Sequence, residues 1–124
     1  KNIQLEVILK DHSLSLMADP NLLDQVLINL LVNAIEAVKH APDPIIQLSA
    51  YTAADKRTVI RVADNGVGMP KEVQEKIFIP FFSTKKQGTG IGLSLCKQIV
   101  MLHRGSIQVQ SAEGEGTAFI LRFG

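Results

Sequence analysis

A long helical pattern in the first third of the chain, with strand-like segments on both sides of it, most constrains how this sequence can fold. Asp19 can cap a helix, Pro20 suits the first helical position, and apolar residues then recur to Val38. Prolines at 42 and 44 stop any continuation, so we predict a helix over about 20–39. Since the flanking segments alternate like strands, this helix is expected to pack on a sheet.

The rest of the chain divides into strands, a further helix and an irregular segment. Alternation predicts strands over 3–9, 14–17, 45–52, 58–63 and, as a closing hairpin, 107–109 with 117–123. One or two helical turns are expected over 70–77, and a second long helix over 92–103. The segment 79–90 mixes Pro, Phe, Lys and Gly without a period, so we predict a long, mobile loop. This order favours helices on one face of a mixed sheet.

Length and charge limit both the size and the partners of the chain. Its 124 residues suffice for one domain with a single core. Thirteen Lys and Arg against twelve Asp and Glu give a net charge of +1, so no overall field attracts nucleic acid or an anionic membrane. No apolar run approaches the roughly 20 residues of a membrane span. The lone Cys96 favours a reducing compartment, and we expect a cytoplasmic domain.

The first helix carries a polar stripe. Gln25, Asn29, Asn33 and Glu36 fall within about 80° of its circumference. Apolar residues flank the stripe on both sides, which predicts extensive burial of the helix; they are Leu23, Val26, Leu27, Leu30, Ala34, Ala37 and Val38 on one side and Ile28, Val32 and Ile35 on the other. Amide and carboxylate oxygens suit Mg²⁺, which takes one or two protein ligands beside water and phosphates. Structural bonds to the backbone are the equally weighted alternative for the asparagines.

Two glycine-rich loops follow. Asp64-Asn65-Gly66-Val67-Gly68 ends a strand, where a carboxylate can accept a hydrogen bond from an exocyclic amine; a plain turn stabilised by Asp64 is the alternative. The segment from Gly88 to Leu93, GTGIGL, leads into a helix whose first N–H groups and dipole favour phosphate. Neither the Walker A spacing nor GxGxxG occurs, which disfavours the two common nucleotide folds.

The segment between the two loops carries two pairs of similar residues. Lys85 and Lys86 either neutralise phosphate charge or are solvated, and the sequence leaves both readings open. Phe81 and Phe82 are large apolar rings in an irregular segment. We expect them to dock on another surface when the loop closes, and the alternative is packing beneath the loop.

Taken together, these segments resemble four sequence boxes of histidine-kinase ATP-binding domains, in the same order and spacing. They read NLLVNAIEAV from Asn29, DNGVGMP from Asp64, IFIPFFSTK from Ile77 and GTGIGLSL from Gly88, and GEGTAFILRF resembles the family's last hairpin. The superfamily includes gyrase, heat-shock chaperone and mismatch-repair ATPases. The resemblance covers essentially all of 1–124 and implies one α/β domain. It is a two-layer sandwich with a mixed, mostly antiparallel sheet of about five strands, three helices and an ATP lid over about 70–90.

The resemblance also implies a role for individual residues. It makes Asn33 the Mg²⁺ ligand and Asp64 the acceptor for the adenine amino group, with Thr117 supporting that contact through water. Gly66 and Gly68 would line and hinge the lid, and Lys85 would contact phosphate. The loop motif would hold the phosphates through Gly88, Thr89, Gly90, Gly92 and Leu93. Glu36 stands where many members have a Lys, which removes one phosphate contact.

Position 29 separates transfer from hydrolysis. Hydrolysing relatives have a glutamate general base four residues before the Mg²⁺-binding Asn, whereas this chain has Asn29, which is no useful base. A histidine acceptor is itself a nucleophile, so phosphoryl transfer can rest on positioning and charge neutralisation. The sequence therefore predicts an ATP-dependent protein histidine kinase, with an ATP-hydrolysing module or a nucleotide-binding scaffold as alternatives.

The phosphoacceptor itself is missing from this sequence. His12, His40 and His103 lie in contexts unlike the family's acceptor histidine, and His103 is expected to be structural. The chain opens in mid-pattern, so we read it as part of a longer kinase that supplies the dimerisation hairpin and pairs with a response regulator. We expect a monomer that turns over little alone, a homodimer at full length, and membrane anchoring, if present, outside this domain.

Overall fold

A computed structural model describes residues 2–10, 18–80, 82 and 92–124. Eight elements follow one another in these residues: β1 (Gln4–Leu9), α1 (Pro20–Ala37), β2 (Ile45–Thr52), β3 (Thr58–Asp64), α2 (Lys71–Gln74), α3 (Gly92–Leu102), β4 (Ser106–Ala112) and β5 (Gly116–Phe123). Among the described residues, the predicted helices and strands are found within a few residues of their expected bounds. The strand predicted over 14–17 lies outside the described residues.

The five strands form one mixed sheet with the order β1-β2-β3-β5-β4. β1 pairs with β2 in parallel, with Leu5 opposite Ile46. All other neighbours are antiparallel, and the β3–β5 register places Asp64 opposite Thr117. The fold is therefore an α/β two-layer arrangement with a mostly antiparallel sheet, as predicted.

The start of α1 follows the predicted chemistry. The Asp19 carboxylate accepts hydrogen bonds from the backbone N–H groups of Asn21 and Leu22, at 2.9 and 3.2 Å, and Pro20 opens the helix. These bonds satisfy two of the N–H groups that a helix leaves unpaired at its first turn. The cap fixes where α1 begins.

The core lies between the sheet and the two long helices. α1 contributes Val26, Leu30 and Ala34, and α3 contributes Cys96, Ile99 and Val100, all at most 4% exposed. The sheet supplies Ile46, Ile60, Val62, Phe119, Leu121 and Phe123 to the same cluster. Burying each large apolar side chain contributes about 1.5–3 kcal/mol, so this cluster holds α1 and α3 on one face of the sheet.

One prediction about α1 is wrong. Ile28, Val32 and Ile35 are 60, 54 and 49% exposed, so the described elements bury α1 on one side only. The apolar pattern runs most of the way round the helix, but the sheet and α3 cover just the side that carries Val26 and Leu30.

Among the described residues, no helix is both long and apolar enough to cross a membrane.

Candidate functional site

Asp64 lies at the end of β3, in the middle of the sheet. Its Oδ1 accepts a hydrogen bond from the backbone N–H of Gly66 at 2.8 Å. Burial raises the pKa of the Asp64 carboxyl, although hydrogen bonds from the backbone N–H groups of Gly66 and Thr117 act in the opposite direction. Asp64 thus stabilises its own turn and also presents a half-buried acceptor, so the two predicted roles are compatible.

The two glycines after Asp64 are required by close contacts. A Cβ at Gly66 would overlap the carbonyl group of Ala37 at the end of α1. Gly68 has a φ of +69°, and a Cβ there would overlap the carbonyl oxygen of Ala112 at the end of β4. The glycine loop therefore lies tightly between α1 and the β4–β5 hairpin.

Asn65 fastens the same loop to the start of β2. Its Oδ1 accepts a hydrogen bond from the Ile45 N–H, and its Nδ2 donates to the carbonyl oxygen of Asp43, both at 2.8 Å. Sequence reasoning missed this role of Asn65 because its two partners are 20 and 22 positions away. The preference of Asn for turns would not have revealed them.

A second fastening joins the residues after the loop to β4. Gln74 of α2 donates from Nε2 to the carbonyl oxygens of Met69 and Ser111, at 2.9 and 2.8 Å. Ser111 Oγ accepts from the Met69 N–H at 2.9 Å and lies 2.8 Å from Thr117 Oγ1. Thr117 is 7% exposed and shares a sheet face with Asp64, so this network reaches the predicted base-binding position. Neither Gln74 nor Ser111 was predicted.

The polar stripe of α1 meets the start of α3. Asn29 donates from Nδ2 to the carbonyl oxygen of Gln25 at 3.0 Å, so the structural role considered for this asparagine is real. A Cβ placed on Gly92 would lie 2.9 Å from Asn29 Oδ1, so the backbone at the start of α3 lies close to the Asn29 side chain. Asn33, one turn further along α1, is half-buried.

Part of the predicted phosphate site lies outside the described residues. This applies to Lys85, Gly88, Thr89 and Gly90, and also to Phe81 and Lys86. Leu93 is described, and its side chain packs against the core. Phe82 also packs against the core, so it follows the alternative in which the ring is covered by its own domain.

The oxygen-rich site raises the question of a bound metal ion. Among the residues that the structure describes, no three His, Cys, Asp or Glu side chains are grouped as a metal cage would need. Mg²⁺ does not need such a cage, because it keeps several waters and takes one or two protein oxygens together with substrate phosphates. The half-buried amide of Asn33 fits that requirement.

The sequence is similar to a known family and to characterised proteins within it. Residues 18–124 match the family described as histidine kinase-, DNA gyrase B- and HSP90-like ATPases. The signal transduction histidine-protein kinase AtoS of Escherichia coli K12 is 42% identical over 112 residues, 90% of this chain and 18% of AtoS. The sensor histidine kinase ZraS of the same strain is 40% identical over 121 residues, 98% of this chain and 25% of ZraS.

The fold has a similar counterpart among solved structures. The nucleotide-free catalytic domain of the histidine kinase ThkA superposes with a TM-score of 0.82 at 38% identity, covering 98% of this chain and 78% of that one. The present chain spans 18% of the length of AtoS and 25% of that of ZraS. It is therefore similar to one domain of these larger kinases.

Proposed function

The chain belongs to the family of histidine kinase-, DNA gyrase B- and HSP90-like ATPases, and from this premise we propose that it binds Mg-ATP and donates the γ-phosphoryl group to a histidine. The single observation that carries the proposal is the Asp64 site. A half-buried carboxylate, fixed by the Gly66 N–H at 2.8 Å, lies at a strand end beside the buried Thr117. A buried acceptor of this kind selects a ligand that brings an N–H donor, as the 6-amino group of adenine does.

The residues for the rest of the nucleotide lie on the two long helices. Asn33 would hold Mg²⁺ through its amide oxygen, and the ion would neutralise charge on the phosphates. Gly92 would bring the first turn of α3 close to the phosphates, where unpaired N–H groups and the helix dipole favour an anion. The loop residues Lys85, Gly88, Thr89 and Gly90 complete this proposed site.

Asn29 favours transfer over hydrolysis. An amide cannot take a proton from water near neutral pH, and the Nδ2 of Asn29 is already committed to the Gln25 carbonyl oxygen. A histidine nucleophile needs no such base, because the imidazole nitrogen attacks directly and positioning lowers the barrier. The second candidate, an ATP-hydrolysing module, rests on the family's gyrase- and HSP90-like members.

The proposed partners rest on the similarity to larger histidine kinases. AtoS and ZraS are named as histidine kinases, and this chain spans 18 to 25% of their lengths. We propose that the acceptor histidine lies on a dimerisation hairpin elsewhere in the protein, and that the phosphoryl group then passes to a response regulator. In this scheme the full-length kinase is a homodimer and this domain acts as its ATP-binding unit.

Calorimetric titration of the chain with ATP and ADP, with and without Mg²⁺, tests nucleotide binding. Asp64→Asn should weaken both nucleotides by about tenfold or more, because an amide N–H₂ group replaces one acceptor oxygen of the carboxylate. Asn33→Ala should instead remove most of the Mg²⁺ dependence and leave Mg²⁺-free binding nearly unchanged. Asp55→Asn is the matched control, because Asp55 is an exposed carboxylate in the β2–β3 turn. A folded chain that binds neither nucleotide would refute the proposal and favour a scaffold.

A further inference from the structure

Ser111 lies at the centre of three contacts on the edge of the Asp64 site. Its Oγ lies 2.9 Å from the Met69 nitrogen, 2.9 Å from the Gly116 carbonyl oxygen and 2.8 Å from Thr117 Oγ1. These partners belong to the segment after the glycine loop and to the start of β5. The serine hydroxyl therefore connects that segment to the strand that carries Thr117.

The chemistry of these partners determines which atom donates in each bond. The Met69 N–H can only donate and the Gly116 carbonyl can only accept, so the single hydrogen of Ser111 goes to Gly116. The Ser111 oxygen then accepts from Met69 and has one lone pair left for Thr117. All three contacts are hydrogen bonds only if the Thr117 hydroxyl donates its hydrogen to Ser111.

This arrangement fixes the character of Thr117. With its hydrogen committed to Ser111, Thr117 Oγ1 offers only lone pairs to anything else it meets. Thr117 lies opposite Asp64 in the β3–β5 register, with both side chains on the same face of the sheet. The two side chains together therefore present acceptors to a ligand at this point.

We propose that Ser111 is a positioning residue for base selection, because it holds Thr117 as an acceptor and so makes the site favour an amino-purine over a 6-oxopurine. The inference rests on the proposed binding of ATP at Asp64. The 6-amino group of adenine is a hydrogen-bond donor, and it can pair with the Asp64 carboxylate and Thr117 Oγ1 directly or through a bridging water. Hypoxanthine has an oxygen at the same position, so its acceptor would face the acceptors of Asp64 and Thr117.

The test compares Mg-ATP with Mg-ITP, which differ at the 6-position of the base, by competitive titration of the whole chain. Ser111→Ala frees the Thr117 hydroxyl to rotate and donate, so the ratio of ATP to ITP affinity should fall by about three- to tenfold. Ser111→Thr keeps the hydroxyl and should preserve most of the wild-type ratio. In a Thr117→Val background, Ser111→Ala should change the ratio by less than about twofold, since the group it orients is gone.

A matched control separates selection from simple loosening of the site. Gln74→Ala removes two hydrogen bonds to Met69 and Ser111 but leaves the Ser111 hydroxyl in place. It should weaken ATP and ITP alike and leave their ratio unchanged. An unchanged ratio in Ser111→Ala, or an equal change in the Thr117→Val background, would overturn the inference. If the wild-type chain binds neither nucleotide, the proposed function fails, and this inference fails with it.

Discussion

The imidazole of His103 accepts a hydrogen bond at Nε2 from the backbone N–H of Asp19, 3.0 Å away. Its other nitrogen, Nδ1, lies 2.8 Å from the carbonyl oxygen of Ile99, so this nitrogen carries the hydrogen. The ring thereby joins the last turn of α3 to the N-cap of α1. Since both nitrogens are engaged, His103 is structural, as its position in the sequence predicted, and it is not placed to accept a phosphoryl group.

His103→Ala should therefore lower the free energy of unfolding by about 1–2 kcal/mol, because it removes both backbone contacts of the ring. Urea denaturation followed by circular dichroism measures this change. His40→Ala is the matched control, because His40 is exposed, and it should change stability by less than about 0.5 kcal/mol. Equal effects of the two substitutions would contradict the assigned role of His103.

The raised pKa of Asp64 predicts a conflict between binding and stability. The folded chain holds a proton at Asp64 more tightly than the unfolded chain, because burial disfavours the ionised form. Above the raised pKa the ionised carboxylate therefore costs folding free energy, and this cost disappears as the pH falls through that pKa. Asp64→Asn should consequently unfold at the same or a higher urea concentration than the wild type at pH 7, while it loses nucleotide.

The same experiment repeated at acid pH provides the check. The stability difference between Asp64→Asn and the wild type should shrink as Asp64 becomes protonated. Affinity of the wild type for ATP should fall over the same range, which lies above the ordinary pKa of an aspartate. A wild-type chain that is clearly more stable than Asp64→Asn at pH 7 would show that the carboxylate has a net stabilising role.

Substitution of Gly68 and Gly114 can separate two costs of adding a Cβ, namely backbone strain at positive φ and overlap with neighbouring atoms. Both have positive φ, +69° and +79°, but only Gly68 has a neighbour, the Ala112 carbonyl, in the space of a Cβ. Gly114→Ala should therefore cost about 1–2 kcal/mol from its φ alone. Gly68→Ala should cost more than about 3 kcal/mol, since overlap with the backbone adds to the same strain. Similar costs measured by urea denaturation would mean that the glycine loop is not held against β4.

The one-sided burial of α1 also predicts a contrast in stability. Leu30 is 0% exposed and Val32 is 54% exposed, although they are only two residues apart. Leu30→Ala should cost about 2–5 kcal/mol, through lost burial and the cavity that remains. Val32→Ala should cost less than about 0.5 kcal/mol in the same unfolding experiment. A large cost at Val32 would restore the original prediction of extensive burial.

Local signals in the sequence were sufficient for much of the fold. The Asp19 cap and Pro20 mark the start of α1 through bonds within one helical turn, and alternation identifies the strands around Asp64. The prediction that Ile28 and Val32 are buried was wrong, because a helical period does not say which sides of a helix its neighbours cover.

The unpredicted part of the site consists of contacts between distant positions. Ser111 meets Met69 across 42 positions, and Asn65 meets Asp43 across 22, so no local pattern indicates them. Asp64 was recognised because its glycine loop has a distinctive composition. Ser111 has no such signal, since a serine in an alternating strand reads as an ordinary solvated residue.

The fate of the γ-phosphoryl group tests the central claim most directly. The chain would be incubated with Mg²⁺ and ATP labelled at the γ-phosphate, first alone and then together with the proposed hairpin domain. Label bound to protein would then be separated from free labelled phosphate. We predict label on the hairpin that is acid-labile and base-stable, as expected for phosphohistidine. Asp64→Asn should strongly reduce this label, and the chain alone should release phosphate only slowly. If this chain released free phosphate rapidly and no protein became labelled in the presence of the hairpin, the result would contradict the proposed kinase activity and favour ATP hydrolysis.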